Sequence, residues 1–212
     1  MADYERMKET ILAGKVDEIT GLVKKALEQG ANPQDIVGQG LIAGMNEVGV
    51  LFKNGDMFIP EVLVSAKTMH KGMELLRPLL SKAEARTMGT VILGTVKGDL
   101  HDIGKNLVGM MFEGAGFEVV DLGVDQSPEK FVEAARRKDA QVIALSALLT
   151  TTMGEMAKVI DALKEAGLKD QVKVMVGGAP LNEKFAATIG ADGYAPDAGS
   201  AVEKLKKLVQ AN

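Results

Sequence analysis

The chain contains no cysteine among its 212 residues, so neither disulfides nor thiolate ligands enter the reading. It has only two histidines, His70 and His101, too few without cysteine to complete the tetrahedral set of a zinc site. No apolar stretch approaches the roughly 20 residues needed to cross a bilayer. No basic N-terminal segment leads into an apolar run with a small-residue cleavage site either. These absences make a cytoplasmic protein with no membrane partner the expectation. The formal net charge is -4 and there is no long Lys/Arg cluster. That combination speaks against a grip on nucleic acid, which depends on neutralising phosphates.

What is present falls into two patterns, and the length suits one domain with a smaller companion. Residues 3 to 80 have helical periodicity without strand alternation. Met7, Ile11 and Leu12 mark one helix, and Ile19, Leu22, Val23, Ala26 and Leu27 mark a second that stops at Gly30. Asn32-Pro33 starts a third, with an amide oxygen to accept a backbone N–H and a proline in the first turn, where no N–H is missed. It runs toward Phe52 and breaks at Lys53-Asn54-Gly55-Asp56. A fourth begins near Pro60 and lasts until Pro78. Together these predict a small four-helix bundle.

The small, polar segment Ser81 to Arg86 marks the boundary, giving a helical domain over residues 1-86 and an α/β domain over 87-212. In the second domain strands are expected at 90–96, 117–122, 141–145, 172–176 and 191–194. Helices are expected at 105–115, 128–138, 153–166, 182–189 and 198–209. Strand and helix in strict alternation imply a five-stranded parallel sheet covered on both faces, with the flavodoxin-like (Rossmann-like) strand order as the natural arrangement. Ligands of such sheets sit beyond the carboxyl ends of the strands, where the first and third lie side by side.

Three loops meet at that edge. The first, Lys97-Gly98-Asp99-Leu100-His101-Asp102-Ile103-Gly104, carries a histidine on a strand-to-helix turn. The loop after the third strand, Ser146 to Thr152, begins apolar and ends in hydroxyls. The loop after the fourth opens with Gly177-Gly178, where missing side chains let backbone approach a ligand. Taken alone, Asp-x-His-x-x-Gly fits a helix N-cap beside a surface histidine equally well. His70 reads as a structural or surface residue, Lys53, Lys67 and Lys71 as solvated helix faces, and the methionines as flexible core filler.

Taken together, Asp99-x-His101-x-x-Gly104, Ser146-x-Leu148 and Gly177-Gly178 resemble the signature of cobalamin-binding domains. The helical domain before them resembles the cap of the corrinoid proteins in methyltransferase systems, and the likeness covers nearly the whole chain. It implies a corrinoid cofactor, cobalamin or an analogue with a different lower base, with His101 replacing that base as the lower cobalt ligand. Asp99 is then the hydrogen-bond partner of His101, and Thr152 stands where the related module of cobalamin-dependent methionine synthase has its relay hydroxyl, with an added methyl. The same resemblance places Asp102, Ile103, Gly104, Leu148 and Thr150 against the cofactor, and Ser146, Gly177 and Gly178 against its buried nucleotide tail. Phe52, Ile59 and Val62 match positions over the upper face of the corrin.

The residue types suit that role. A neutral imidazole is a good transition-metal ligand, and a carboxylate accepting its other N–H fixes the tautomer and raises its basicity. As Co(I) sheds its axial ligands, His101 can take up a proton. The function implied is a methyl carrier: a substrate-specific methyltransferase places a methyl group on Co(I), and a second methyltransferase moves it from methyl-Co(III) to tetrahydrofolate or a thiol. A reductive activator of Co(II) is a further implied partner, and the chain is then a cofactor-bearing subunit. Methylamines, betaines, methanol and methoxylated aromatics all stay open as donors. A receiver domain would want an acidic pair after the first strand and an aspartate after the third, where this chain has Lys97-Gly98 and Ser146. A corrinoid-dependent mutase normally has a large barrel beside its cobalamin domain. The alternative from another class is a corrinoid-sensing regulator, which needs a DNA-binding element, and no basic recognition helix is visible.

Overall fold

The computed structural model describes residues 2–80 and 88–210. The segment expected to act as linker, Ser81 to Arg86, lies outside the described residues. The chain divides into two compact units, Met1–Thr87 with Glu113–Gly116, and Met88–Phe112 with Phe117–Asn212.

The first unit is helical. Helix α1 (Tyr4–Leu12) is capped by the Asp3 carboxylate, which accepts from the Arg6 N–H at 3.0 Å, and α2 (Val16–Glu28) follows after a short turn. Asn32 caps the next helix through the Gln34 N–H at 2.9 Å, with Pro33 at its first position. The third expected helix is one continuous helical run with a change of pitch inside it. It comprises α3 (Pro33–Asp35), a π-helical segment (Ile36–Ile42) and α4 (Ala43–Asn54). Apolar spacing does not distinguish i→i+4 from i→i+5 bonding, so the pitch change left no trace in the periodicity.

Glycines of this run decide how closely α1 packs. A Cβ at Gly40 would lie 2.8 Å from the Met7 sulfur, and one at Gly44 would lie 3.2 Å from the Lys8 Cα. Helix α5 (Ile59–Leu76) is held at its start by the Glu61 carboxylate, which accepts from the Phe58 N–H at 2.8 Å. It ends in a 3₁₀ turn at Arg77–Leu79, where Pro78 stops the α-helix. Ile11, Ile19, Val23, Leu41 and Val48 are buried without residual exposure. Among the described residues no helix is long and apolar enough to cross a membrane.

The second unit alternates β1 (Thr90–Thr95), α6 (Ile103–Gly114), β2 (Glu118–Asp121), α7 (Pro128–Lys138), β3 (Val142–Ser146), α8 (Gly154–Glu165), β4 (Lys173–Gly177), α9 (Glu183–Ile189), β5 (Gly193–Ala195) and α10 (Ala198–Gln210). All strands are parallel and lie in the order β2-β1-β3-β4-β5, the doubly wound arrangement expected from the alternation. Successive residues of β1 face opposite sides. Ile92 and Val96 join Phe131, Val159 and Leu163 in one core layer, whereas Leu93 meets α6 at Gly109, where a Cβ would come within 2.9 Å of the leucine. Both faces are therefore covered, which is why β1 reads as an unbroken apolar run.

Candidate functional site

Parallel register lines up the strand ends. Thr95 pairs with Ser146, Ser146 with Gly177, and Gly177 with Ala195. In-register residues of a parallel sheet share a face, so the carboxyl edge carries a row of one threonine, one serine, one glycine and one alanine with no bulky side chain. Ser146 and Gly177 were expected at this edge. Thr95 and Ala195 were not singled out, since only the register places them beside the other two.

The His101 loop rises from this row. Val96 N–H donates to the Ser146 carbonyl at 3.0 Å, Gly98 turns the chain with φ +79°, and Asp99 folds back beneath the histidine. The Asp99 carboxylate is completely buried and surrounded by donors. One oxygen accepts from the His101 backbone N–H at 3.1 Å and meets His101 Nδ1 at 2.7 Å. The other accepts from the backbone N–H groups of Leu148 and Leu149 at 2.8 and 3.2 Å and from the Thr152 hydroxyl at 2.7 Å. Burial alone would raise its pKa. The Thr152, Leu148 and His101 hydrogen bonds outweigh that and hold it well below the usual carboxylate range.

Ionised Asp99 only accepts, so the proton on His101 Nδ1 is assigned by its partner, and Nε2 is the nitrogen left with a lone pair. The imidazole is 51% exposed over a fully buried carboxylate. Thr152 is buried. Its oxygen also lies 2.9 Å from the Leu149 carbonyl, an alternative acceptor for its single proton.

Leu148 therefore serves through its backbone N–H while its side chain stays exposed, as does the side chain of Thr150. Asp102 is exposed and accepts from the Asn106 side-chain amide at 3.1 Å. Leu100 and Ile103, 71% and 80% exposed, leave apolar surface on either side of His101. At Gly104 a Cβ would meet nothing within 4 Å, so the chain's own packing does not call for glycine there. At Gly178 a Cβ would sit 1.9 Å from the Ala147 carbonyl oxygen, so the backbone after β4 packs directly on the backbone after β3. The second strand's loop braces the first: Asp125, in the left-handed region at φ +54°, accepts from Gly98 N–H at 2.7 Å and donates its own N–H to the Asp99 carbonyl at 3.0 Å. Sequence reasoning passed over Asp125, since nothing local ties it to a histidine 24 positions earlier.

In the first unit, Phe52 is half-buried, Ile59 is exposed and Val62 is fully buried. Phe58, 68% exposed, adds apolar surface that was not foreseen. Val62 therefore presents no free surface of its own.

Among the described residues no group of three or more His, Asp or Glu side chains is arranged to hold a bare ion. One imidazole backed by a buried carboxylate fits instead a metal that brings its other ligands in a ring. The apolar rim and the open space at Gly104 fit the ring itself, and the row of small residues fits a group entering the sheet edge.

The chain belongs to the B12 binding domain family, which matches residues 89–203, and a second family of the same description matches residues 4–77. It is 46% identical to dimethylamine corrinoid protein 1 of Methanosarcina acetivorans, over 94% of this chain and 93% of that one. It is 43% identical to trimethylamine corrinoid protein 1 of the same organism, over 95% and 98% of the two chains. Among solved structures it resembles the methanol:cobalamin methyltransferase complex MtaBC of Methanosarcina barkeri. There the TM-score is 0.87 at 32% identity, over 97% of this chain and 79% of that chain. The cofactor of this family is a corrinoid.

Proposed function

We propose that the chain is the corrinoid-bearing methyl carrier of a methyltransferase system, working between a substrate-specific methyltransferase and a methyltransferase that passes the group to its acceptor. Near-full-length likeness to methylamine corrinoid proteins supports this and favours a methylamine as donor. The alternative of a corrinoid-sensing regulator finds no support in those relatives. A cytoplasmic location and an external reductive activator belong to the same reading.

The observation that carries the site is the Asp99 fan, five donors on one buried carboxylate, ending in an exposed imidazole. His101 Nε2 is the ligand atom in this reading. The corrinoid, when bound, supplies the cobalt on which a methyl group is carried. Asp99 would hold the proton on Nδ1 and orient the ring, leaving the Nε2 lone pair for the metal, and its negative charge would stabilise the ring whenever Nε2 carries a proton instead. Thr152 compensates the carboxylate throughout. Ser146 and Gly177 border the nucleotide tail, with Gly178 letting the loop after β4 pack on the Ala147 backbone beside them, while Asp102, Ile103, Gly104, Leu148 and Thr150 border the ring. Residues 1-86 act as a cap, with Phe52 and Ile59 contributing apolar surface and Val62 supporting them. The domain division at 86/87 is part of the proposal.

The deciding experiment is electron paramagnetic resonance of the Co(II) protein. His101→Ala should abolish the splitting from an imidazole nitrogen. Retention of an unaltered nitrogen signal in that variant would remove His101 from the metal. Turnover of trimethylamine, dimethylamine and methanol with their respective partner methyltransferases then assigns the donor.

A further inference from the structure

One buried charge in the second unit takes no part in the Asp99 fan. Lys105 lies in the first turn of α6, and its side chain keeps only 1% of its surface. Burying an ammonium is costly unless it is paired and hydrogen-bonded. Its Nζ does both, donating to the Asp121 carboxylate at the end of β2 and to the Asn106 side-chain oxygen at 2.7 Å.

Followed outward, these two bonds reach His101 from both directions. On one side, the other Asp121 oxygen accepts from Gly123 N–H at 2.8 Å, and the Gly123 carbonyl accepts from Thr95 N–H at 2.9 Å. The Thr95 hydroxyl then donates to the His101 carbonyl at 2.8 Å. On the other side, the Asn106 amide donates to the Asp102 carboxylate at 3.1 Å, and Asn106 N–H donates to the Asp102 carbonyl at 2.7 Å. Asp102 is the residue after His101. The bonds close into a ring through His101, Thr95, Gly123, Asp121, Lys105, Asn106 and Asp102. Asp99 holds the histidine side chain from below, whereas nothing in its fan restrains the chain after His101.

We propose that Lys105 is a positioning residue for His101: it locks the backbone on the C-terminal side of the histidine so that the ring stays over Asp99 with Nε2 presented. An apolar side chain would fill the same space at lower cost, so a buried lysine here is explained by the two arms it joins. This assignment rests on the reading of His101 as the cobalt ligand, but its structural half is independent of the metal.

The test therefore has a corrinoid-free arm. In the apoprotein, exchange of the His101 Nδ1 proton and of the backbone amides at 101–106 is followed by nuclear magnetic resonance for the unsubstituted chain, Lys105→Met and Asn106→Ala. Lys105→Met is expected to keep the far-ultraviolet circular dichroism of the parent and to speed exchange of the Nδ1 proton by about tenfold. Asn106 is exposed on its helix, so Asn106→Ala should fold normally and give a smaller acceleration through the Asp102 arm alone. In the loaded protein, Lys105→Met should lose part of the imidazole nitrogen splitting of Co(II) although His101 is present. A folded Lys105→Met with parental exchange and parental splitting would overturn the proposal. If Lys105→Met does not fold, Asn106→Ala decides alone, and unchanged exchange there overturns it. Absence of nitrogen splitting in the unsubstituted chain would instead sink the ligand reading, with the exchange data still judging Lys105.

Discussion

Asp99 gathers five donors, none of them from a lysine or arginine among the described residues, and this sets how acid and substitution act on the loop. Its pKa in the folded chain is depressed, so the unfolded chain binds the proton more readily. The stabilisation it confers is present above the ordinary carboxylate value of about 4 and is lost as pH falls through the lower folded value. The stability gap between the parent and Asp99→Asn should accordingly be widest near neutrality and shrink below about pH 4. Replacing an acceptor-only group by an amide turns one or two donors against a donor and should cost about 3 kcal/mol near neutral pH, as hydrogen bonds to charged groups do. Urea denaturation across pH measures both. Thr152→Ser should be nearly silent in the same experiment, whereas Thr152→Val leaves the Asp99 oxygen one donor short.

At the scale of elements, two glycines of the proposed site make opposite predictions. Gly178 has φ +138° and no room for a Cβ, so Gly178→Ala must displace either the β4 or the β3 loop. It should destabilise the apoprotein by about 3 kcal/mol. Gly104 lies in the first turn of α6 with open space where its Cβ would be. Gly104→Ala should leave apoprotein stability unchanged or raise it by up to about 1 kcal/mol, yet weaken corrinoid uptake if the ring lies there. A thermal melt paired with a titration of cob(II)alamin separates the two effects, and equal corrinoid affinity in Gly104→Ala would move the ring elsewhere.

For the whole molecule, the first unit leaves Val50, Phe58, Ile59, Leu63 and Val64 exposed, apolar surface that its own core does not consume. If this unit caps a reactive cofactor, truncating that surface, or the half-buried Phe52 that lies between Val50 and Phe58 in the chain, should change protection and not binding. Phe52→Ala should keep the corrinoid affinity of the parent while the methylated protein loses its methyl group faster in light. An unchanged photolysis rate would confine Phe52 to packing within the bundle.

Strand and helix order and the switch-point loop were legible in the chain because each rests on local pattern, alternation and apolar runs, whereas the Asp99–His101 pair came from the family resemblance, its two-residue spacing making it only feasible. Expected and observed boundaries in the second unit differ by only a residue or two, and both faces of the sheet are covered as a parallel arrangement demands. Other features needed contacts between distant segments. Thr95 joined Ser146 and Gly177 only through register, Asp125 reached Gly98 across two loops, and Lys105 met Asp121 from 16 positions away. The π segment contains Gly40, where the missing side chain admits Met7 of α1, and the full burial of Val62 is a product of packing that its place in an apolar stripe did not distinguish from a ligand-facing one. Local pattern thus placed the candidate groups on the loops at the carboxyl edge of the sheet, and the family resemblance proposed their roles. Tertiary packing decided which of them are held, and by what, because hydrogen-bond rings and burial depend on which segments meet and no periodicity encodes that.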